Sequence, residues 1–325
     1  MVTTFNLSVL SSLDARMDDN GTHNSTIFHP NSSNNPDFNI SRMIGLLSTS
    51  TIILLVASLD FGGNGLVIWL LGFCIKRNPF TTYILNLSIA DFGVLTALAV
   101  YIISCIFYWF YDIDTVFLIV SFEAFFLFTF TTSQFLLTVI SIDRCVCLFF
   151  PLWHRCHRPP HLSTTVCVII WILSFLLSAT FFALSFKKWY DIKFYQFVLN
   201  ALLFTPVMSV STITMLIKIC LISKPYKRRK PLTAILLSLL FFLLFAFPLN
   251  AVLSLFLKAF ILMYVIAYGY ICVSLNSSIN PLIYFLVGRK KRGRSRERIK
   301  KIFEEMFKEE ENCTEEVDPP KETKL

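Results

Sequence analysis

The sequence predicts an all-α membrane protein: a seven-transmembrane helix bundle followed by a short C-terminal amphipathic helix. Three observations predict it. Of 325 residues, 55% are hydrophobic and only 15% charged, against about a quarter charged in soluble domains. A water-soluble chain of that composition would expose large apolar patches. Seven stretches are long and continuous enough to cross a bilayer core, which takes roughly 20 apolar residues in helix. They lie near 44–75, 80–108, 117–148, 163–186, 194–222, 231–256 and 260–287. Lys and Arg, finally, are distributed unevenly between the two sides of these stretches, and such a bias sets orientation.

The segments divide as 1–42, a polar tail; 43–288, the bundle; and 289–325, the amphipathic helix and tail. The tail is rich in Asn, Ser and Thr and holds five Asn-x-Ser/Thr triplets, at Asn6, Asn20, Asn24, Asn31 and Asn39. Such triplets accept glycans where a segment is luminal. The tail lacks a basic patch followed by a short apolar run, so no cleaved leader is expected and the first span directs insertion. On one side of the membrane fall Lys76, Arg77, Arg144, Arg155, Arg158, Lys218, the run 224–230 and nine basic residues within 289–301. On the other are Arg16, Arg42, Lys187, Lys188, Lys193 and Lys258. The bias places the N-terminus outside and the C-terminus in the cytoplasm. The similar triplets at Asn86 and Asn276 fall inside spans and should stay unmodified.

Ionisable and amide groups inside a span are costly and point to function. With a helical rise of 1.5 Å per residue, Asp91 and Ser133 each sit about 17 Å above the inner face, Asn64 about 18 Å and Asn280 about 12 Å, with Asn276 and Ser277 one turn higher. Four spans thus place polar groups in one layer. A buried carboxylate needs partners or a cation, so the layer reads as a hydrated cluster able to hold a small cation. A purely structural hydrogen-bond network remains the alternative. Asp143 and Arg144 close the third span at the inner face, where an interfacial ion pair is the simpler reading. Pro206, Pro248 and Pro281 interrupt the last three spans and permit kinks. After the bundle, Ile299, Ile302, Phe303, Met306 and Phe307 follow helical spacing among basic residues. That pattern suits a helix lying on an anionic lipid surface.

These residues carry a resemblance. From Gly63 to about Phe307 the chain is similar to a rhodopsin-like G-protein-coupled receptor. The signatures are Gly63-Asn64, Leu87 with Asp91, Asp143-Arg144-Cys145, Trp171, Pro206, Phe242 with Pro248, and Asn280-Pro281-Leu282-Ile283-Tyr284. Longer strings resemble the Mas-related receptors in particular: Arg77-Asn78-Pro79-Phe80-Thr81, the run 86–91, the run 151–159, the run 230–233 and the run 276–288. The resemblance implies plasma-membrane localisation, an extracellular ligand, a heterotrimeric G protein as partner, and no enzymatic activity. It assigns coupling and activation to Asp143, Arg144, Phe242, Pro248, Asn280, Pro281 and Tyr284. The polar cluster of Asn64, Asp91, Ser133, Asn276, Ser277 and Asn280 would hold a sodium ion.

Several departures matter. A Cys common at the outer end of the third span is Ile119 here, Ser185 stands where Mas-related receptors carry one, and the loop 186–194 has none. No extracellular disulfide is expected. Ala246 replaces a common Trp, as the Mas-related group also does. No acid from the sixth span is available to pair with Arg144, since Arg228 occupies that region, and this predicts some basal activity. Phe126 stands where amine receptors carry an Asp, which argues against a monoamine. Glu123 lies one turn outward, and Asp112, Asp114 and Asp191 add negative charge near the mouth, offset by Lys187, Lys188 and Lys193. A cationic peptide or amphiphile is the expected ligand, with Glu123, Phe126 and Asp191 as its candidate contacts.

Two rival functions stand beside this one. A membrane transporter or channel would show repeated halves and paired broken helices, and no internal repeat is visible. An intramembrane enzyme is suggested by His154, His157 and His161, but their spacing is loop-like and no acidic partner is expected for them. The basic runs flank membrane spans, which implies lipid contact rather than nucleic acid.

Overall fold

The computed structural model describes residues 36–75, 77–111, 116–150, 154, 156–159, 161–185, 202, 204, 206–218, 236–240 and 262–288, and among these all regular structure is helical. In chain order the helices are α1, Pro36–Trp69, which widens into a π-helical turn, Leu70–Cys74; α2, Pro79–Tyr111; α3, Val116–Phe149; α4, Leu162–Ser185; α5, Pro206–Lys218; α6, 236–240; and α7, Leu262–Gly288. Four helices are long and apolar enough to cross a membrane among the described residues: Leu47–Cys74, Pro79–Tyr108, Phe117–Phe149 and Leu162–Leu184. Asn6, Asn20, Asn24, Asn31, Asp191, Phe242, Pro248 and the expected amphipathic helix lie outside the described residues.

Local chemistry sets the helix ends. The first helix starts at Pro36, ahead of the expected span at 44. Hydropathy marks only the apolar part of a helix, and proline suits the first helical position because its missing N–H is not needed there. Asn39 is therefore helical. The start of α2 is a reciprocal cap: the Thr81 N–H donates to Asn78 Oδ1 at 2.7 Å, while the Asn78 N–H donates to Thr81 Oγ1 at 2.8 Å. Pro79 between them occupies the first helical position. Inside the helices, hydroxyls bond back to carbonyls one turn earlier, as Thr96 to Phe92, Thr132 to Phe128 and Thr138 to Gln134, each at 2.8 Å. Polar side chains so satisfied are tolerated in hydrocarbon.

Helices α1, α2, α3, α4 and α7 pack side by side, with α2 against all four others. Trp171 of α4 donates its indole N–H to Asn86 Oδ1 of α2 at 3.0 Å. The Ser178 hydroxyl of α4 donates to the Ala124 carbonyl of α3. The Cys145 thiol of α3 donates to the Ser211 carbonyl of α5 at 3.6 Å, and Lys218 sits over the Phe149 ring at 4.4 Å. The core forms two apolar clusters. One gathers Val67, Leu70, Leu87, Leu136, Ile283 and Tyr284 toward the Arg144 end. The other gathers Ile53, Val94, Leu98, Phe130, Phe181 and Val273 toward the Glu123 end. Outward, α4 exposes Val168, Ile169, Ile172, Leu173, Phe175 and Leu176 as one stripe, a surface suited to lipid and not to water.

Two glycines mark the closest helix contacts. A Cβ on Gly63 would stand 3.2 Å from Pro281 Cβ, and a Cβ on Gly93 would stand 2.6 Å from Thr129 Cγ2. The second gap is too small for any side chain unless Thr129 or α2 itself shifts. Gly93→Ala is expected to cost about 1–3 kcal/mol, the usual penalty of overpacking. Thr129→Ser, which removes the offending methyl, should restore most of the loss in thermal unfolding of the purified protein. An alanine variant melting with the wild type would show that the seam is loose.

Candidate functional site

The polar layer lies between the two apolar clusters. Asp91, fully buried on α2, accepts the Ser133 hydroxyl of α3 at 2.7 Å through Oδ1 and the Asn280 amide of α7 at 2.8 Å through Oδ2. Asn64 of α1 donates to the Ser277 carbonyl at 3.1 Å. That bond has a specific origin. Pro281 has no N–H, so the carbonyl four residues earlier loses its helical partner, and that carbonyl belongs to Ser277. Asn64 supplies the missing donor, and bare Gly63 lets the Pro281 ring close on α1. Asn276 is buried one turn from Asn280. The layer thus brings together Asn64, Asp91, Ser133, Ser277 and Asn280 from four helices, with Asn276 adjoining.

This layer also fits a small cation. The Asp91 carboxylate has no cationic side chain paired to it among the described residues. The buried Ser277 hydroxyl adjoins it, within hydrogen-bonding reach of the carboxylate. Carboxylate and hydroxyl oxygens are the ligands that hard cations take. Asp91, Ser133 and Ser277 are therefore the residues that would hold sodium.

At the far end of α3, Asp143 and Arg144 pair at 2.7 Å, and the Arg144 guanidinium also lies over the Phe80 ring of α2 at 4.2 Å. Only 7% of the Arg144 side chain is exposed, so this cation is drawn into the bundle and away from the interface where an isolated ion pair would sit. Arg158 reaches the other Asp143 oxygen at 3.0 Å, and His154 Nε2 stands 3.5 Å from it. The expectation that the histidines lack an acidic partner is corrected for His154, which stands beside the carboxylate that precedes Arg144. Among the described residues, no three His, Cys, Asp or Glu side chains gather as a metal site. Tyr284 is buried in the neighbouring cluster beside Ser238 of α6.

At the opposite end, Phe126 is buried, stacked on Phe130 with centroids 5.6 Å apart and edge-on to Tyr270 of α7 at 5.5 Å. Tyr101 of α2 lies 5.8 Å from Tyr270 ring to ring, with their hydroxyls in hydrogen-bonding reach. Glu123 faces both phenols. Sequence reasoning found Glu123 and Phe126 but missed the tyrosines. Their signal was depth: Tyr101 lies about 15 Å beyond Asp91 along α2 by helical rise, level with the outer part of α3. The free cysteines Cys74, Cys105, Cys145, Cys147, Cys156, Cys167 and Cys272 form no disulfide among the described residues.

Comparison with known proteins gives these geometries a family. Residues 63–284 match the model of the seven-transmembrane receptors of the rhodopsin family. The chain is 33% identical over 276 residues to the proto-oncogene Mas of Mus musculus, covering 80% of this chain and 83% of that protein. It is 35% identical over 271 residues to the Mas-related G-protein coupled receptor member H of Rattus norvegicus, again covering 80% and 83%. Member D of Macaca fascicularis is 31% identical over 284 residues, covering 81% and 86%. Members of this family are multi-pass membrane receptors and not enzymes. The chain belongs to the rhodopsin family of seven-transmembrane receptors and, within it, to the Mas-related G-protein-coupled receptors.

Proposed function

We propose that this receptor binds an extracellular cationic ligand, a peptide or an amphiphile, and passes the signal to heterotrimeric G proteins at the Arg144 end. One observation carries the ligand class: Glu123 set beside the aromatic rings of Tyr101, Phe126 and Tyr270. A carboxylate with aromatic faces suits an ammonium or guanidinium head through charge and cation–π attraction. Asp191 is a further candidate contact. In this reading the N-terminal tail is extracellular and glycosylated at Asn6, Asn20, Asn24, Asn31 and Asn39. The ligand must bind the signalling state better than the resting one. Phe242 and Pro248 serve as the pivot region, while Asn280, Pro281 and Tyr284 link the polar layer to a groove beside Asp143 and Arg144 that admits a helix of the G protein.

Screening a panel of cationic peptides and amphiphiles in cells that report calcium and cyclic AMP tests the ligand class. Glu123→Gln should weaken the response by on the order of ten-fold or more in effective concentration, as loss of a charge-assisted contact does, at equal surface expression. Unchanged potency would remove Glu123 from the ligand site. Ion flux without any G-protein response would favour a transporter or channel instead.

Sodium occupancy gives a second test. A cation held by Asp91, Ser133 and Ser277 in the resting state opposes agonist binding by linkage. Raising sodium should therefore lower agonist affinity in the wild type, and Asp91→Asn should abolish that dependence. Agonist binding indifferent to sodium in the wild type would reduce the layer to a structural network.

A further inference from the structure

The Arg144 end contains more than the adjacent acid–base pair. Arg158, in the connection between α3 and α4, makes three contacts at once. Its Nη2 lies 3.0 Å from Asp143 Oδ1 and donates to the Ser163 hydroxyl at 2.7 Å, while its Nη1 is 2.7 Å from His154 Nε2. The Ser163 hydroxyl in turn meets the Tyr83 phenol of α2. Side-chain exposure is 8% for Arg158, 10% for His154 and 11% for Asp143, so the assembly is closed to solvent and its contacts are weakly screened. Asp143 is its hub. One oxygen holds Arg144, and the other holds Arg158 with His154 nearby.

We propose that Arg158, with His154 and Ser163, is a positioning residue that latches Arg144 in its resting place. The latch stands in for the cross-helix salt bridge that the sequence does not provide. One Asp143 oxygen and the Phe80 face are among the contacts that hold Arg144. A carboxylate gripped at one oxygen only can turn about its side-chain torsions. Gripped at the second oxygen by a guanidinium that is itself tied to α4, it cannot turn, and its remaining oxygen stays aimed at Arg144. Planar, forked arginine can serve Asp143, Ser163 and His154 together, which a lysine ammonium at the same place cannot do in the same geometry. The polar edge that His154 turns to Arg158 completes the grip. The groups facing this assembly are Asp143 and Arg144 from α3, Tyr83 and Phe80 from α2, Ser163 from α4, and His154 and Arg158 from the connection.

This inference rests on the coupling function proposed above, and two measurements keep the two separate. The first is ligand-independent G-protein signalling in cells, normalised to surface receptor. Arg158→Ala and Asp143→Asn should each raise it by on the order of five-fold, and the double variant should rise no further, since both break one unit. Arg158→Lys should fall between. His154→Gln and Ser163→Ala remove one arm each and should give smaller rises, so the order of effects survives even where Arg158→Ala reaches the surface poorly. The second is hydrogen–deuterium exchange of the purified receptor, in which Arg158→Ala should loosen residues 154–163. Unchanged exchange, or basal signalling equal to or below wild type in all of these variants of a receptor that does couple, would overturn the latch. Loosened exchange with a wild type and variants that signal through no G protein would instead refute the coupling function.

Discussion

The Ser277 carbonyl is the point on which the bundle turns. Pro281 takes away its helical donor, and in hydrocarbon an orphaned carbonyl costs several kcal/mol. Asn64 restores the bond, which fixes the depth and rotation of α1 against α7. That rotation requires a residue without a side chain at Gly63, where the Pro281 ring closes in. The residue before the proline, Asn280, is then presented to Asp91, and Asp91 in turn takes the Ser133 hydroxyl. A single missing N–H thus accounts for the bond that ties α1 to α7 beside the Asp91 cluster. Apolar clusters on both sides keep the bonds in a low dielectric, where they are strong when made and costly when broken.

Much of this was legible in the sequence, and for identifiable reasons. Continuous apolar runs placed α2, α3, α4 and α7, and the far end of α1, within a few residues, because hydrocarbon leaves the chain few alternatives to helix. Helical rise alone put Asn64, Asp91, Ser133 and Asn280 in one layer. Which atom met which was not legible. Depth counting gives height along a helix and says nothing of its rotation, so it could not show that Asn64 reaches a backbone carbonyl rather than Asp91. Nor could it bring Tyr101 and Tyr270 to Glu123, since that pairing depends on how α7 leans on α2. The His154–Asp143 approach escaped for a different reason. It depends on the contacts that one side chain between two spans makes, which no apolar periodicity records. The early start of α1 escaped because Pro36 and its neighbours are polar and hydropathy passes over them.

Three helices recur at every level of the molecule. Helix α2 contributes Tyr101 at one end, Asp91 in the middle and Phe80 with Tyr83 at the other. Helix α3 contributes Glu123 and Phe126, then Ser133, then Asp143 and Arg144. Helix α7 contributes Tyr270, then Ser277 and Asn280, then Tyr284. A ligand that changes how α7 sits against the other two near Tyr270 therefore acts on the same rigid bodies that carry Asp91 and Arg144. The tight Gly93–Thr129 seam holds α2 close against α3, while α7 is tied to α2 through Asn280 and Asp91.

The wide turn at Leu70–Cys74 has a bearing on how the first helix tolerates change. The Ile75 N–H donates to the Leu70 carbonyl at 3.0 Å, spanning five residues where an ordinary turn spans four. Such a bulge accommodates one surplus residue without unwinding the helix. Removing a single residue there would let the turn tighten to regular geometry while Gly63 and Asn64, two turns earlier, keep their facing. An insertion ahead of Gly63 has no such refuge, because it would rotate the tail-side half of α1 by about 100° against its neighbours. The approach to α2 can thus lengthen or shorten by a residue while the interlock with α7 holds its register.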